Sequence, residues 1–140
     1  MEKYKFFEHT ADMKFQAYGK NLEEAFSNAA LAITDTVVEV GEVDSTIKKE
    51  IIIESEDKKA LLYDFLEKFL YLMDAEYFVI NNVTSLKIEK GAKFKLTANV
   101  VGDVGLEKYD FKRHVKAVTY NDMVIDEKPG NVMVQIVLDL

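Results

Sequence analysis

ALLYDFLEKFLYLMDAE, residues 60–76, carries the strongest pattern in the chain. Leu61, Leu62, Phe65, Leu66, Phe69, Leu70 and Met73 recur at the spacing that lays one wide apolar stripe along an α-helix. A stripe this wide has to be buried, and the flanking segments say against what. KKEIIIESE (48–56) reads as a strand with Ile51 to Ile53 at its buried centre, and Ser55 or Asp57 can cap the helix that follows. From residue 78 onward the pattern is β: VINNVTSLKIEK, a turn at Gly91, then KFKLTANVV, with Gly102 and Gly105 opening a loop. The helix is therefore expected to lie on a sheet.

The same alternation extends to both ends. YKFFEH (4–9) is short, aromatic and β-prone, and KFQAY (14–18) alternates polar and apolar residues, with TAD turning between them. Asn21 with Glu24 three residues later resembles a capping box. Leu22, Ala25, Phe26, Ala29, Ala30 and Ile33 then outline a second amphipathic helix, ending near Thr36 or Val37. VKAVTYN (115–121), MVID (123–126) and, after a Pro129–Gly130 turn, VMVQIVLDL (132–140) complete the β pattern. Two helices and some seven strands with short connections predict an α+β fold, two helices packed on a largely antiparallel sheet. With no linker and no repeat, residues 1–140 are expected to form a single-domain two-layer sandwich.

Composition narrows the function. The 140 residues are 49% hydrophobic and 31% charged, the balance of a globular protein with a sizeable core. No run approaches the roughly 18 apolar residues of a membrane span, and MEKYKFFEHTAD lacks the apolar region of a secretory signal, so a cytoplasmic location is expected. The absence of cysteine excludes disulfides and thiolate metal sites. A net charge of −7 argues against strong direct nucleic-acid binding, because phosphate contacts need a positive footprint. It leaves room for a role beside RNA through a protein partner. KYDFKRHVK (108–116) is the local exception, with Lys108, Lys112, Arg113, His114 and Lys116 in nine positions. By default it is a solvated loop or edge; functionally it is a docking patch for an acidic partner or for RNA phosphates.

Standard catalytic signatures are missing: there is no Walker A loop, no nucleophile elbow and no HExxH. GDVG (102–105) is read as a hairpin loop in preference to a phosphate cradle. HTAD (9–12) is open to two interpretations. His9 and Asp12 are either a base with its orienting carboxylate or metal ligands, or else Asp12 caps backbone groups and His9 packs on a strand. In VMVQIVLDL, Val132, Val134, Ile136, Leu138 and Leu140 share one face, and Asp139 points the other way with Val137, Gln135 and Met133. A strand running to the last residue places the Leu140 carboxylate beside Asp139, and two such charges need a cation, a hard metal ion or a lysine. With Asp12 alongside, the oxygens suit Ca²⁺, Mg²⁺ or Mn²⁺; the alternative is a solvated terminus. Lys116, in a row with Val118 and Tyr120, either snorkels at a sheet edge or sits near a carboxylate.

HTAD (9–12), LLYDFLEKFLYLMD (61–74), VKAVTY (115–120) and VLDL (137–140), in this order, resemble the archease family over essentially the whole chain. The resemblance implies a small, mostly cytoplasmic tRNA-processing protein that activates an RtcB-type RNA ligase in tRNA splicing. That ligase uses GTP and Mn²⁺ and is first guanylylated on a histidine of its own; archease speeds this step and supports multiple turnover. By match, an oxygen-ligand metal site would fall on Asp12, Asp139 and Leu140, with Lys116 also important for ligase activation and His9 a supporting candidate. The implied cofactor is a divalent metal ion (Ca, Mg or Mn). A further implied partner is a tRNA cytosine methyltransferase, for which archease would be a chaperone or modulator. One position departs from the family: Asn121 stands where histidine is common after the tyrosine, which puts any role there in doubt. Two rivals remain from the residues themselves, a stand-alone metal-dependent hydrolase and a pure interaction module.

Overall fold

The central helix runs from Lys58 to Glu76 in the computed structural model, which describes residues 2–8, 11–105 and 107–140. Asp57 caps it, its carboxylate accepting the Ala60 N–H at 2.8 Å. All seven stripe residues are buried. Each contributes roughly 2 kcal/mol by leaving water, before the cost of ordering the chain. The earlier helix, α1, spans Leu22–Val37, which makes Lys58–Glu76 α2. Asn21 caps α1 by accepting the Glu24 N–H at 2.9 Å, while the Glu24 carboxylate reaches back to the Lys20 N–H at 2.9 Å. The capping box is thus present with its return bond one residue earlier than usual.

The described residues also form seven strands: β1 Tyr4–Glu8, β2 Asp12–Gly19, β3 Ile47–Ser55, β4 Phe78–Lys90, β5 Phe94–Val104, β6 Ala117–Lys128 and β7 Asn131–Asp139. A single 3₁₀ turn covers Val40–Glu42. All pairings are antiparallel, as expected, and the strands are divided between two sheets. One has the order β1-β2-β7-β6 and the other β3-β5-β4. The chain passes to the second sheet through α1 and returns through residues 105–116. Both helices touch strands of both sheets, α1 on β2, β7 and β4, α2 on β6, β3, β4 and β5, so one continuous core lies between them. No helix among the described residues is long and apolar enough to cross a membrane.

Two local features differ from the sequence expectation. VKAVTYN, from Ala117 onward, and MVID are parts of one strand, β6, interrupted by a register shift between Thr119 and Val124. The inward row changes phase across the break, from Val118 to Met123 and Ile125, which is why the sequence pattern looked like two strands. GDVG does not begin as a loop: Gly102 and Asp103 belong to β5. A Cβ at Gly102 would collide with the Val79 carbonyl, so the glycine serves the close approach of β4 at its bulge, not a phosphate.

Candidate functional site

β2 begins at Asp12 and β7 ends at Asp139, and the antiparallel register sets these two residues directly opposite each other. β7 in turn faces β6, with Asp139 opposite Ala117. The backbone tightens this corner: the Lys116 N–H donates to the Asp139 carbonyl at 2.8 Å, and the Leu140 N–H to the Ala11 carbonyl at 3.3 Å. Four of the residues singled out from sequence, Asp12, Lys116, Asp139 and Leu140, therefore meet at one end of the four-stranded sheet. His9, the fifth, lies outside the described residues.

The face on which the carboxylates stand follows from burial. Met13, Leu138 and Val118 are buried against the helices, so their neighbours Asp12, Asp139 and Ala117 point to the outer face. Directly opposed residues in an antiparallel pair have Cβ atoms roughly 5 Å apart, and like charges there repel. Asp139 is exposed and Asp12 half-buried. The Oδ1 atom of Asp12 is withdrawn from solvent and has no hydrogen-bond partner among the described residues. Lys116 is exposed and, among the described residues, engages no carboxylate; its link to the site runs through its backbone amide.

Sequence reasoning missed two residues that complete the outer face. Lys14, one row from Asp12, pairs with Asp122 at 3.8 Å. Asp122 lies in the irregular stretch of β6 and has a left-handed backbone, φ 51°, a conformation that Asp tolerates better than most residues. Its carbonyl accepts from Gln135 Nε2 at 2.7 Å, and Gln135 accepts from Gln16 at 2.9 Å, which fixes the bulge to the centre of the sheet. Asp12, Lys14, Asn121, Asp122 and Val137 line a depression of about 630 Å³. Asn121 thus borders the site although its residue type departs from the expected pattern. The turn-prone Asn-Asp pair between two β segments was the available signal; the register that swings it toward Asp12 was not.

The basic segment 108–116 does not line this depression, and apart from Lys116 its charges are paired with carboxylates of the chain. Lys108 pairs with Asp103 at 2.7 Å and Asp44 at 2.9 Å, Lys112 with Glu39 at 3.1 Å, and Arg113 with Glu8 at 3.2 Å. His114 lies 3.6 Å from Asp74. This segment is a strap fastened across the molecule more than a free docking patch. Its anchor is Asp103, only 6% exposed, which accepts from Lys108 at 2.7 Å, Tyr109 at 2.6 Å, Thr46 at 2.8 Å and the Val104 N–H at 2.9 Å. The hydrogen bonds from Lys108, Tyr109 and Thr46 hold the Asp103 carboxyl well below the usual carboxylate range. Those to Asp103 and Asp44 push Lys108 above the usual lysine range.

Similarity to known proteins is found over the whole chain. The Archease protein family matches residues 4–140. Protein archease of Thermococcus kodakarensis is 44% identical and that of Pyrococcus abyssi 41% identical, each with 100% of both chains covered. The solution structure of Methanobacterium thermoautotrophicum protein 1598 covers 100% of both chains with a TM-score of 0.85 at 36% identity. A crystal structure from Thermotoga maritima, described as an archease, possible chaperone, shares the fold with a TM-score of 0.64 at 19% identity, covering 96% of this chain and 94% of that one.

Proposed function

The chain belongs to the archease family, and from that premise we propose that it is a non-catalytic activator of an RtcB-type tRNA-splicing RNA ligase, promoting the ligase's guanylylation and multiple turnover. The observation that carries this is the meeting of β2 and β7: Asp12 opposite Asp139, the Leu140 N–H tied to Ala11, and an Asp12 oxygen without a donor among the described residues. Oxygen-only ligands and an unsatisfied carboxylate atom fit a hard divalent cation. Asp12, Asp139 and the Leu140 carboxylate would hold it. Bound there, such an ion supplies positive charge for phosphate oxygens.

The chain's own residues do the remaining work. The outer face presents the carboxylates at the open end of a rigid sheet, where a partner's nucleotide site can receive them. Lys116, tethered to Asp139 through its amide, offers its ammonium to a phosphate group at the same end. The acidic total charge favours approach to a basic, RNA-handling partner, and direct RNA binding has no part in this scheme. The second reading, a chaperone or modulator of a tRNA cytosine methyltransferase, follows from the family resemblance alone.

Purified protein, ligase, GTP and Mn²⁺ test the proposal. Faster ligase guanylylation with the protein, and no GTP turnover or RNA-end processing by the protein alone, is the expected pattern. Turnover without ligase would instead favour a stand-alone hydrolase. Guanylylation at the wild-type rate by Asp12→Ala and by Asp139→Ala would remove the acidic end from the mechanism.

A further inference from the structure

Tyr120 immediately precedes Asn121 and Asp122 in the irregular stretch of β6, and its ring turns to the helix side of the strand. There it stacks on Tyr63 of α2, with centroids 4.4 Å apart and planes only 6° from parallel. Tyr63 covers one face, yet Tyr120 remains 52% exposed, so the stack ends in an open aromatic surface. The surroundings are acidic. Besides partial burial, Asp64 and Asp57 raise the Tyr120 hydroxyl above its ordinary value, and the Tyr63 hydroxyl donates to Glu67 at 3.4 Å. The nearby exposed Tyr71 carries a cation from its own chain, with Lys68 4.9 Å from its centroid. Among the described residues, no lysine lies over Tyr63 or Tyr120.

We propose that the Tyr63–Tyr120 stack is a docking platform for an arginine side chain of the ligase, on the helix side of the same sheet. This rests on the function proposed above. An aromatic surface with Asp57, Asp64 and Glu67 beside it attracts a cation to its face, and the planar guanidinium matches it better than an ammonium. The same carboxylates repel the phosphates of a nucleotide, which sets arginine ahead of a stacked base. The ring lies on the helix side of β6 and the Asp12 and Asp139 carboxylates on its outer side, so the platform is a second contact surface that adjoins the first only along β6, through Asn121.

The test is the affinity of this protein for the ligase without GTP or RNA, measured by calorimetry at several salt concentrations. Tyr120→Ala should bind about fivefold more weakly, and Tyr120→Phe close to wild type, because the ring face and not the hydroxyl is used. Asp64→Asn keeps an acceptor for the Ser55 hydroxyl, which donates to Asp64 at 2.6 Å, and should bind about twofold more weakly with a shallower salt dependence. A folded Tyr120→Ala that binds like wild type overturns the platform and leaves the activator function standing. A defect that emerges only with GTP or RNA present overturns it in favour of a stacked base. Should Tyr120→Ala not fold, unchanged affinity and salt slope in Asp64→Asn overturn it as well. Wild-type protein that does not bind the ligase at all overturns the proposed function, and the platform with it.

Discussion

Asp103 and Asp12 are both drawn away from water, and they are treated in opposite ways. Asp103 accepts from a lysine, a tyrosine, a threonine and a backbone amide, so its charge is fully compensated within the chain. Asp12 has an oxygen shielded from solvent with no donor among the described residues, and it faces a second aspartate across the strands. Leaving a polar atom in that state costs about 1–3 kcal/mol, and opposed like charges add to it. The first arrangement stabilises the fold. The second fits the cation proposed above, which would complete it. The two aspartates therefore separate a structural region from the proposed binding region more sharply than charge or exposure does.

Removing Asp12 or Asp139 should give the largest effect and the clearest contrast. Asp12→Ala and Asp139→Ala are expected to reduce divalent-cation affinity by about 100-fold, read by calorimetry, with ligase guanylylation falling in parallel. Their melting temperatures without added metal should stay level or rise, since a repulsion is relieved. With a cation at 100 times its dissociation constant, wild type gains about 2.7 kcal/mol and the variants gain little. A variant that melts early without metal would place Asp12 with Asp103 as a structural group.

Asp103→Ala should do the reverse. It unfastens Lys108 and Tyr109 from β5 and leaves Thr46 without its carboxylate, and the melting temperature should drop by about 5 °C. Cation affinity should not change. If this variant stays folded but no longer activates the ligase, the strap belongs to the functional surface.

Deleting Leu140 is a smaller perturbation of the open region. It removes the N–H that reaches Ala11, worth about 1 kcal/mol, and moves the terminal carboxylate onto Asp139. Cation affinity should fall about tenfold with little change in melting temperature. Unchanged affinity would take the terminal carboxylate out of the site.

Much of the structural region was legible in the sequence, and only part of the binding region was. The Leu61–Met73 stripe, the Asn21 and Asp57 caps and the alternation of β7 are local patterns, and each appears where its period placed it. Asp139 on the outward row follows from the same alternation. The division into two sheets was not readable, because it depends on which strands pair across α1 and across residues 105–116. Asp122 and Lys14 were invisible for a related reason. Their meeting with Asp12 depends on a three-residue excess in β6 between Thr119 and Val124, which shifts register without disturbing the apolar pattern on either side. The basic run looked like a patch because its partners, Glu8, Glu39, Asp44, Asp74 and Asp103, are scattered over the chain.

The smallest expected effect concerns pH, and it tests the structural side of the contrast alone. Asp103 is held below its ordinary range, so its contribution is present above about pH 4, where an unfolded carboxylate is ionised, and is lost as pH falls through its lower folded value. Lys108 is raised, so its contribution is present below the ordinary lysine range and is lost only as pH climbs through its still higher folded value. Both shifts leave the Asp103–Lys108 pair fully charged from about pH 5 to pH 9. The melting-temperature difference between wild type and Asp103→Asn should accordingly be flat across that window and should shrink below about pH 4, as wild-type Asp103 takes up a proton. A difference that already declined between pH 5 and pH 7 would mean that some other group fastens the strap, and Asp103 would cease to be the satisfied counterpart of Asp12.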